Sequence, residues 1–409
     1  MNTVKKLLTS DISQYLIANA IFSLSSFAVN LCLPFLLDPE LFNGFIYVFQ
    51  MVIFMTSALQ IGIIIGLYKF HETNAAASLS IYYIVTLLLF SIYFLFSLFN
   101  KNPLIIALKL DLLNYSEQIF FALSVIVSNI FLYNKGVNVK EKNYSYMLRI
   151  AVTAFIIRLC FLLLLNFIEI KSICLLLSFF FILPFVQDIR DYLIHLYRHV
   201  RFNILSGAFV RLFLLYSFKV WCIGILFIIS ERIFLISIKN INESFTASIA
   251  FATGFIGIIS LFISTFTNYF LSTLSTNRIE EIKTYTKQLK KLFVAFFVVL
   301  IAICFIASYI CKQVYPQLDP NTPTILFIVL FKTGVITYLG MYSLLSKTFN
   351  LLNLEITLNI LRIIIIYLLC TIWHPQNLLI WYGTVMFVIP LPELIISITI
   401  NNKIHRYAS

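Results

Sequence analysis

The chain has 409 residues, 61% of them hydrophobic and only 11% charged, with a mean hydropathy of +0.97. Soluble domains carry about a quarter charged residues, so a water-soluble core of this length is excluded. The net charge of +12 needs no nucleic-acid partner, because the cations fall in an orderly way between apolar runs.

Those runs are about 20 residues long, enough to cross ~30 Å of hydrocarbon as helices. Read against charged or Pro/Asn-rich breaks, they predict twelve spans: 14–37, 42–68, 77–99, 116–133, 146–166, 171–186, 212–238, 246–269, 292–311, 324–346, 352–373 and 377–400. Runs such as CLLLSFFFILPFV do not alternate apolar with polar residues, which argues against a closed β-barrel. The opening MNTVKKLLTSDISQ carries two lysines, but no small-residue cleavage site closes the first run, so span one is expected to stay in the mature protein.

Alternate connections differ in Lys and Arg. With the N-terminus inside, nineteen fall on the inner side and five, Lys101, Lys109, Lys171, Lys239 and Lys312, on the outer. The positive-inside rule then puts both termini of a multi-pass protein in the cytoplasm. The inner segment STNRIEEIKTYTKQLKKL reads equally as an amphipathic helix on the anionic inner leaflet or as a solvated loop.

Six spans precede the basic connector around DIRDYLIHLYRHVR and six follow it. The expected organisation is an N-terminal six-helix half (1–190), a cytoplasmic connector (191–211) and a C-terminal six-helix half (212–409), pseudo-repeated around a central cavity. FIIRLCFLLLLN in span five resembles NILRIIIIYLLC in span eleven, with Arg158 and Arg362 in register, 204 residues apart. PELFNGFIYVF and NINESFTASIAF match likewise between the first two spans of each half. Gly62 and Gly66 form a GxxxG in span two, with Gly254 and Gly257 at related depth in span eight, and both pairs read first as packing surfaces. Pro390 and Pro392 should break or kink span twelve next to Glu393.

No catalytic or metal-binding arrangement stands out. The seven cysteines lie in or at the ends of apolar spans without CxxC spacing, and read as small buried hydrophobes. His195 and His199 are four apart, but with arginines interleaved they read as part of a charged connector. Neither an enzyme nor a cofactor is expected, and with no nucleotide site visible an ion gradient or the membrane potential is the expected driving force.

The informative residues are the charges inside spans: Lys219, Glu231 and Arg232 in span seven, Arg158 in span five, Lys332 in span ten, Arg362 in span eleven and Glu393 in span twelve. An ionised group at the bilayer centre costs about 2.5–3.5 kcal/mol even on lenient scales, so each is expected to face a partner or a watery cavity. Neighbours on a helix point ~100° apart, so Glu231 and Arg232 cannot both aim at one spot. Five cations against two acids make an anionic cargo the natural expectation, with Arg158, Arg362, Lys332, Arg232 and Lys219 as cavity cations, and Glu231 and Glu393 as gating or coupling groups. Snorkelling is the plain alternative for Lys219, and capping of carbonyls within its own half the plain alternative for each arginine.

NLCLPFLLDPELFNGFIYVFQMVIFMTSALQIGIIIGLYKF resembles the start of polysaccharide exporters of the Wzx type, and ISERIFLIS resembles the acid-Arg-hydrophobic pattern of their seventh helix, with Glu231 where the family often has Asp. That family belongs to the multidrug/oligosaccharidyl-lipid/polysaccharide exporter superfamily. The resemblance implies a protein that flips undecaprenyl-diphosphate-linked oligosaccharide, such as O-antigen repeat units, from the inner to the outer face of the bacterial cytoplasmic membrane, and a monomer is the default for a two-half transporter. Membrane lipids, a polysaccharide polymerase and a chain-length regulator would be its partners. Two rivals remain. One is an O-antigen polymerase, for which the outer connections are short; the other is a small-molecule antiporter of the drug-exporting branch or the major facilitator type.

Overall fold

The computed structural model describes residues 11–254 apart from 61, 72, 100–102, 111–112, 166, 168–171 and 240, a few positions between 294 and 309, and residues 318–406 apart from 349–350 and 374–376. Every regular element among them is a helix, and ten helical stretches are long and apolar enough to cross a membrane. These fall on ten of the twelve expected spans. Spans 246–269 and 292–311, with Gly257 and the basic segment 275–292, lie wholly or mostly outside the described residues.

Helix α1 (Asp11–Leu36) turns directly into α2 (Pro39–Leu59), which starts on a proline whose missing N–H would have had no helical partner anyway. α3 (Ile63–Phe70) continues the same span after a break, and α4 (Ala75–Ser97) starts where the Asn74 side chain accepts from the Ala77 N–H. After the short α5 (Pro103–Ala107), α6 (Tyr115–Lys140) opens on a reciprocal capping box between Asn114 and Glu117. α7 (Tyr144–Leu164) follows. α8 (Ile173–Leu177) then runs through a π-helical turn (Ser178–Ile182) and a 3-10 turn (Leu183–Phe185) into α9 (Val186–His199). The remaining helices are α10 (Gly207–Ile238), α11 (243–254), α12 (Thr322–Thr348), α13 (Leu352–Thr371), α14 (Leu378–Val388) and α15 (Leu391–Arg406).

The helices are inside-out, as a lipid solvent demands. On α13 the buried stripe is Glu355, Asn359, Arg362, Ile366 and Cys370, while Ile360, Leu361, Ile364, Ile365 and Leu368 face outward. α7 repeats the pattern, burying Arg158 and exposing Ile156, Leu159 and Leu163. Water would drive such helices to turn over; hydrocarbon does not. This is a multi-pass, all-helical membrane protein.

The chain divides into two compact units, residues 1–225 and 226–409. The division falls inside α10, whereas the connector expected at 191–211 is largely helical, comprising the end of α9, a 3-10 turn at Phe202–Ile204 and the start of α10. In the first unit α1 packs along α7, and α2, α4 and α9 pack on α6. Its core is ring-rich: Tyr82 donates to the Tyr133 carbonyl at 2.7 Å, and the Thr86 and Tyr192 hydroxyls bond at 2.6 Å. His195 and His199 stack on each other and on Tyr83, so they serve as rings in that packing. In the second unit α12 packs on α14 and α15, and α13 on the same pair.

The helix of span two ends at Leu59 and restarts at Ile63, beside Gly62 of the GxxxG that reads first as a packing surface. Gly62 sits at φ 56°, in the left-handed region. The Leu59 carbonyl loses its helical donor there, because the Ile63 N–H turns to the Gln60 carbonyl instead. Trp221 Nε1 on α10 donates to Ala58 O at 2.7 Å, and the Tyr133 hydroxyl on α6 donates to Leu59 O at 2.9 Å. Side chains of two neighbouring helices thus bond the carbonyls beside the break, the condition for a helix break at membrane depth.

Candidate functional site

Span seven carries the acid-arginine pair of α10, and the two side chains do part company. Glu231 Oε1 accepts from Lys332 Nζ of α12 at 2.6 Å, an ion pair between helices of the second unit. Arg232 is 8% exposed, and its Nε meets no hydrogen-bond acceptor. With Thr253 of α11 and Tyr382 and Met386 of α14, these three charges line a pocket whose interior space is on the order of one water molecule. Two cations against one carboxylate leave a single positive charge in a low-dielectric site. Such a charge attracts an anionic or strongly polar group when the pocket opens.

Arg362 uses both terminal nitrogens within its unit. At 1% exposed, it donates through Nη1 to the Ile389 carbonyl at 2.8 Å and to Glu393 Oε1 at 2.9 Å, and through Nη2 to Asn359 Oδ1. Its guanidinium also lies 4.8 Å from the Phe227 ring centre. Ile389 and Pro390 form the break between α14 and α15, so the expected kink beside Glu393 is present, held by an arginine from the preceding span.

Arg158 does the same work in the first unit with neutral acceptors. Nη1 donates to Ser25 Oγ at 3.0 Å, and Nη2 donates to the Phe180 carbonyl at 2.9 Å in the π-helical turn. Lys219 is exposed on α10, one turn from the exposed Leu215 and beside the exposed Phe218. Of the seven charges singled out in the sequence, the structure brings together Glu231, Arg232 and Lys332 in one pocket and Arg362 with Glu393 in one pair. Arg158 and Lys219 each stand apart from those clusters.

Sequence reading passed over a further buried polar group. Asp188 of α9 bonds Asn134 of α6 and Tyr146 of α7, and Lys135 Nζ reaches Asn19 Oδ1 of α1 at 2.6 Å. Lys135 counts as a connector cation if span four stops at 133, but α6 runs on to Lys140. The recurring Ser124, Ser128, Asn129, Asn134 and Asn138, buried inside an otherwise apolar helix, were the signal available.

No family model matches the chain, and no curated protein matches it. Among solved structures, the inward-facing conformation of a multidrug resistance MATE family transporter of the MOP superfamily matches with a TM-score of 0.63 at 12% identity, over 97% of this chain and 95% of that one. A MATE protein in its bent conformation matches with a TM-score of 0.64 at 13% identity, over 98% and 97% of the two chains. From end to end, this chain has the fold of these MATE structures.

Proposed function

We propose that this chain is a secondary transporter that carries its substrate across the membrane by alternating access, driven by an ion gradient or the membrane potential. The observation that carries the reading is the likeness in fold, over nearly the whole of this chain, to a multidrug resistance transporter. On that likeness, export of a small molecule in exchange for a cation is the leading reading of the cargo. The pocket of Glu231, Arg232 and Lys332 is its candidate site of substrate contact or coupling, and the Arg362–Glu393 pair is the brace behind the kink of the last span.

A second cargo is favoured by one specific observation. Arg232 is buried and enters none of the ion pairs among the described residues, Lys219 is exposed within a span, and the chain carries +12 overall. A cationic translocation path suits an undecaprenyl-diphosphate-linked oligosaccharide, whose phosphates would exchange hydration for charge-assisted hydrogen bonds. One deletion strain tests both. Accumulation of lipophilic dyes with restored efflux on complementation supports the small-molecule reading; lipid-linked repeat units stalled on the inner face support the second. A strain unchanged in both assays would overturn transport of either cargo.

A further inference from the structure

We propose that the turn from α9 into α10 is a binding surface for anionic phospholipid headgroups, built from Arg190, Arg198, Arg201 and Arg211 with the rings of Tyr197 and Phe202. It lies wholly within the first unit. α9 turns one stripe inward and another outward: Asp188 and Tyr192 are buried, whereas Val186, Arg190, Leu193 and Tyr197, spaced four, three and four apart, are exposed. The start of α10 continues that outward face with Leu212, Leu215 and Phe218, also exposed. Such apolar stripes on membrane-crossing helices lie against hydrocarbon. Between the two helices the character changes. Tyr197 is 88% exposed and Phe202 73%, with Arg198 and Arg201 exposed between them. Arginines beside exposed rings at the end of a membrane span match the headgroup layer, where the ring meets the acyl boundary and the guanidinium meets phosphate.

The backbone beneath this surface is held in place. Ser80 of α4, fully buried, donates to the His199 carbonyl at 2.5 Å and accepts from the Arg201 N–H at 3.1 Å. Leu196, Val200, Leu205 and Phe209 pack inward on the ring-rich core. The inward side chains are thus spent on packing, and the arginines are not: none of the described ion pairs includes Arg190, Arg198, Arg201 or Arg211. Of the nearby acids, Asp188 bonds Asn134 and Tyr146, Asp191 lies against Tyr146, and Glu141 is exposed at the end of α6. Arg190 lies ~12 Å along the helix from Arg198, so its long stem runs along the apolar face toward the headgroups. A guanidinium fork matches two oxygens of a phosphate diester, and an anionic headgroup brings no ammonium of its own to oppose it. The surface rests on the membrane reading alone, not on the cargo or on which face is cytoplasmic.

The test places the purified full-length protein in nanodiscs of phosphatidylcholine alone or of phosphatidylcholine mixed with phosphatidylglycerol. Melting temperature is followed in each, and lipid retained through mild detergent washing is identified by mass spectrometry. The surface predicts that the wild type melts higher in the mixed discs and retains phosphatidylglycerol several-fold over phosphatidylcholine. Arg198→Gln with Arg201→Gln should remove both effects while leaving the melting temperature in phosphatidylcholine unchanged, and Phe202→Ser should weaken retention. Lys142→Gln with Lys403→Gln removes the same charge elsewhere and should keep the preference. If the arginine double variant does not accumulate, Arg198→Lys with Arg201→Lys takes its place and must lower the retained phosphatidylglycerol. A wild type without the preference overturns the surface and leaves the face to a protein partner. An equal loss in the lysine control reduces the effect to bulk charge and overturns it too. Neither measurement involves the cargo, so this inference and the transport reading fail separately.

Discussion

Arg158 Nη2 donates to the Phe180 carbonyl at 2.9 Å, and the residue four places on, whose N–H would have closed that helical bond, is Pro184. Arg362 Nη1 donates at 2.8 Å to the Ile389 carbonyl, next to Pro390. The two arginines lie 204 residues apart, each on the fifth span of its half, and each satisfies a carbonyl in a proline-interrupted sixth span. In hydrocarbon an orphaned carbonyl finds no water, so a kink there needs a donor from a neighbour. The two cases differ in one respect: the residue four beyond Phe180 is Pro184, which has no N–H, whereas the residue four beyond Ile389 is Glu393.

Arg158→Ala and Arg362→Ala are therefore each expected to lower the amount and melting temperature of folded protein, with the two losses adding in the double variant as independent sites do. Lysine in either place keeps a charge but not the fork, and should recover part of the loss. Membrane level and thermal unfolding of the five variants check this. Single variants at full level that abolish transport, with a double no worse, would put both arginines on one cargo instead.

Removing one member of the Arg362–Glu393 pair leaves the other charge buried. Glu393→Ala should cost about 3–5 kcal/mol of stability, whereas replacing both members with apolar side chains of similar volume should cost much less. Glu393→Gln, which keeps an acceptor for the guanidinium, should fall between. Unfolding midpoints in detergent separate the three; equal losses for the single and double replacements would contradict the pairing.

Hydropathy made the spans legible, and ten of the twelve coincide with helices because a membrane crossing is a property of local composition. Most of the charges inside spans were legible too, since they interrupt apolar runs. Their partners were not: Lys332 is 101 residues from Glu231 and Arg362 is 31 from Glu393, and no local period links them. A cation in a span announces the need for a neighbour without saying whether the neighbour is cargo or a kinked backbone. Asp188 escaped because DIRDYLIHLYRH looks like a charged connector, although its helix buries Asp188 and Tyr192 on one face. The break at Gly62 escaped because a GxxxG spacing is equally good for packing and for bending.

Gly62 and Gly44 offer a matched contrast in the same span. A Cβ at Gly62 would strike the Ser217 carbonyl and the Trp221 backbone nitrogen, and φ 56° disfavours any L side chain. A Cβ at Gly44 meets nothing within 4 Å. Gly62→Ala should lose at least the ~1–2 kcal/mol of a left-handed non-glycine residue, and more from the collision with α10. Gly44→Ala should be neutral or slightly stabilising, as alanine favours a helix interior. A Gly62→Ala protein with wild-type melting behaviour would show that the break is dispensable.

Arg232 and Lys332 share one pocket but should fail in different ways. Lys332 Nζ is bonded to Glu231 at 2.6 Å and is 7% exposed, so Lys332→Ala strands a carboxylate inside the second unit and should reduce folded protein. Arg232 enters none of the described ion pairs, so Arg232→Ala strands no carboxylate bonded to it. Its loss should leave protein level and melting temperature near those of the wild type while lowering transport roughly tenfold or more, equivalent to about 1.4 kcal/mol in the rate-limiting barrier. Arg232→Lys should retain part of the activity, since the charge stays while the planar fork is lost. Parallel assays of membrane level, melting temperature and substrate flux decide it. Normal flux in Arg232→Ala, or a loss of flux that simply tracks a loss of folded protein, would remove Arg232 from the transport path and leave Glu231 and Lys332 as a structural pair.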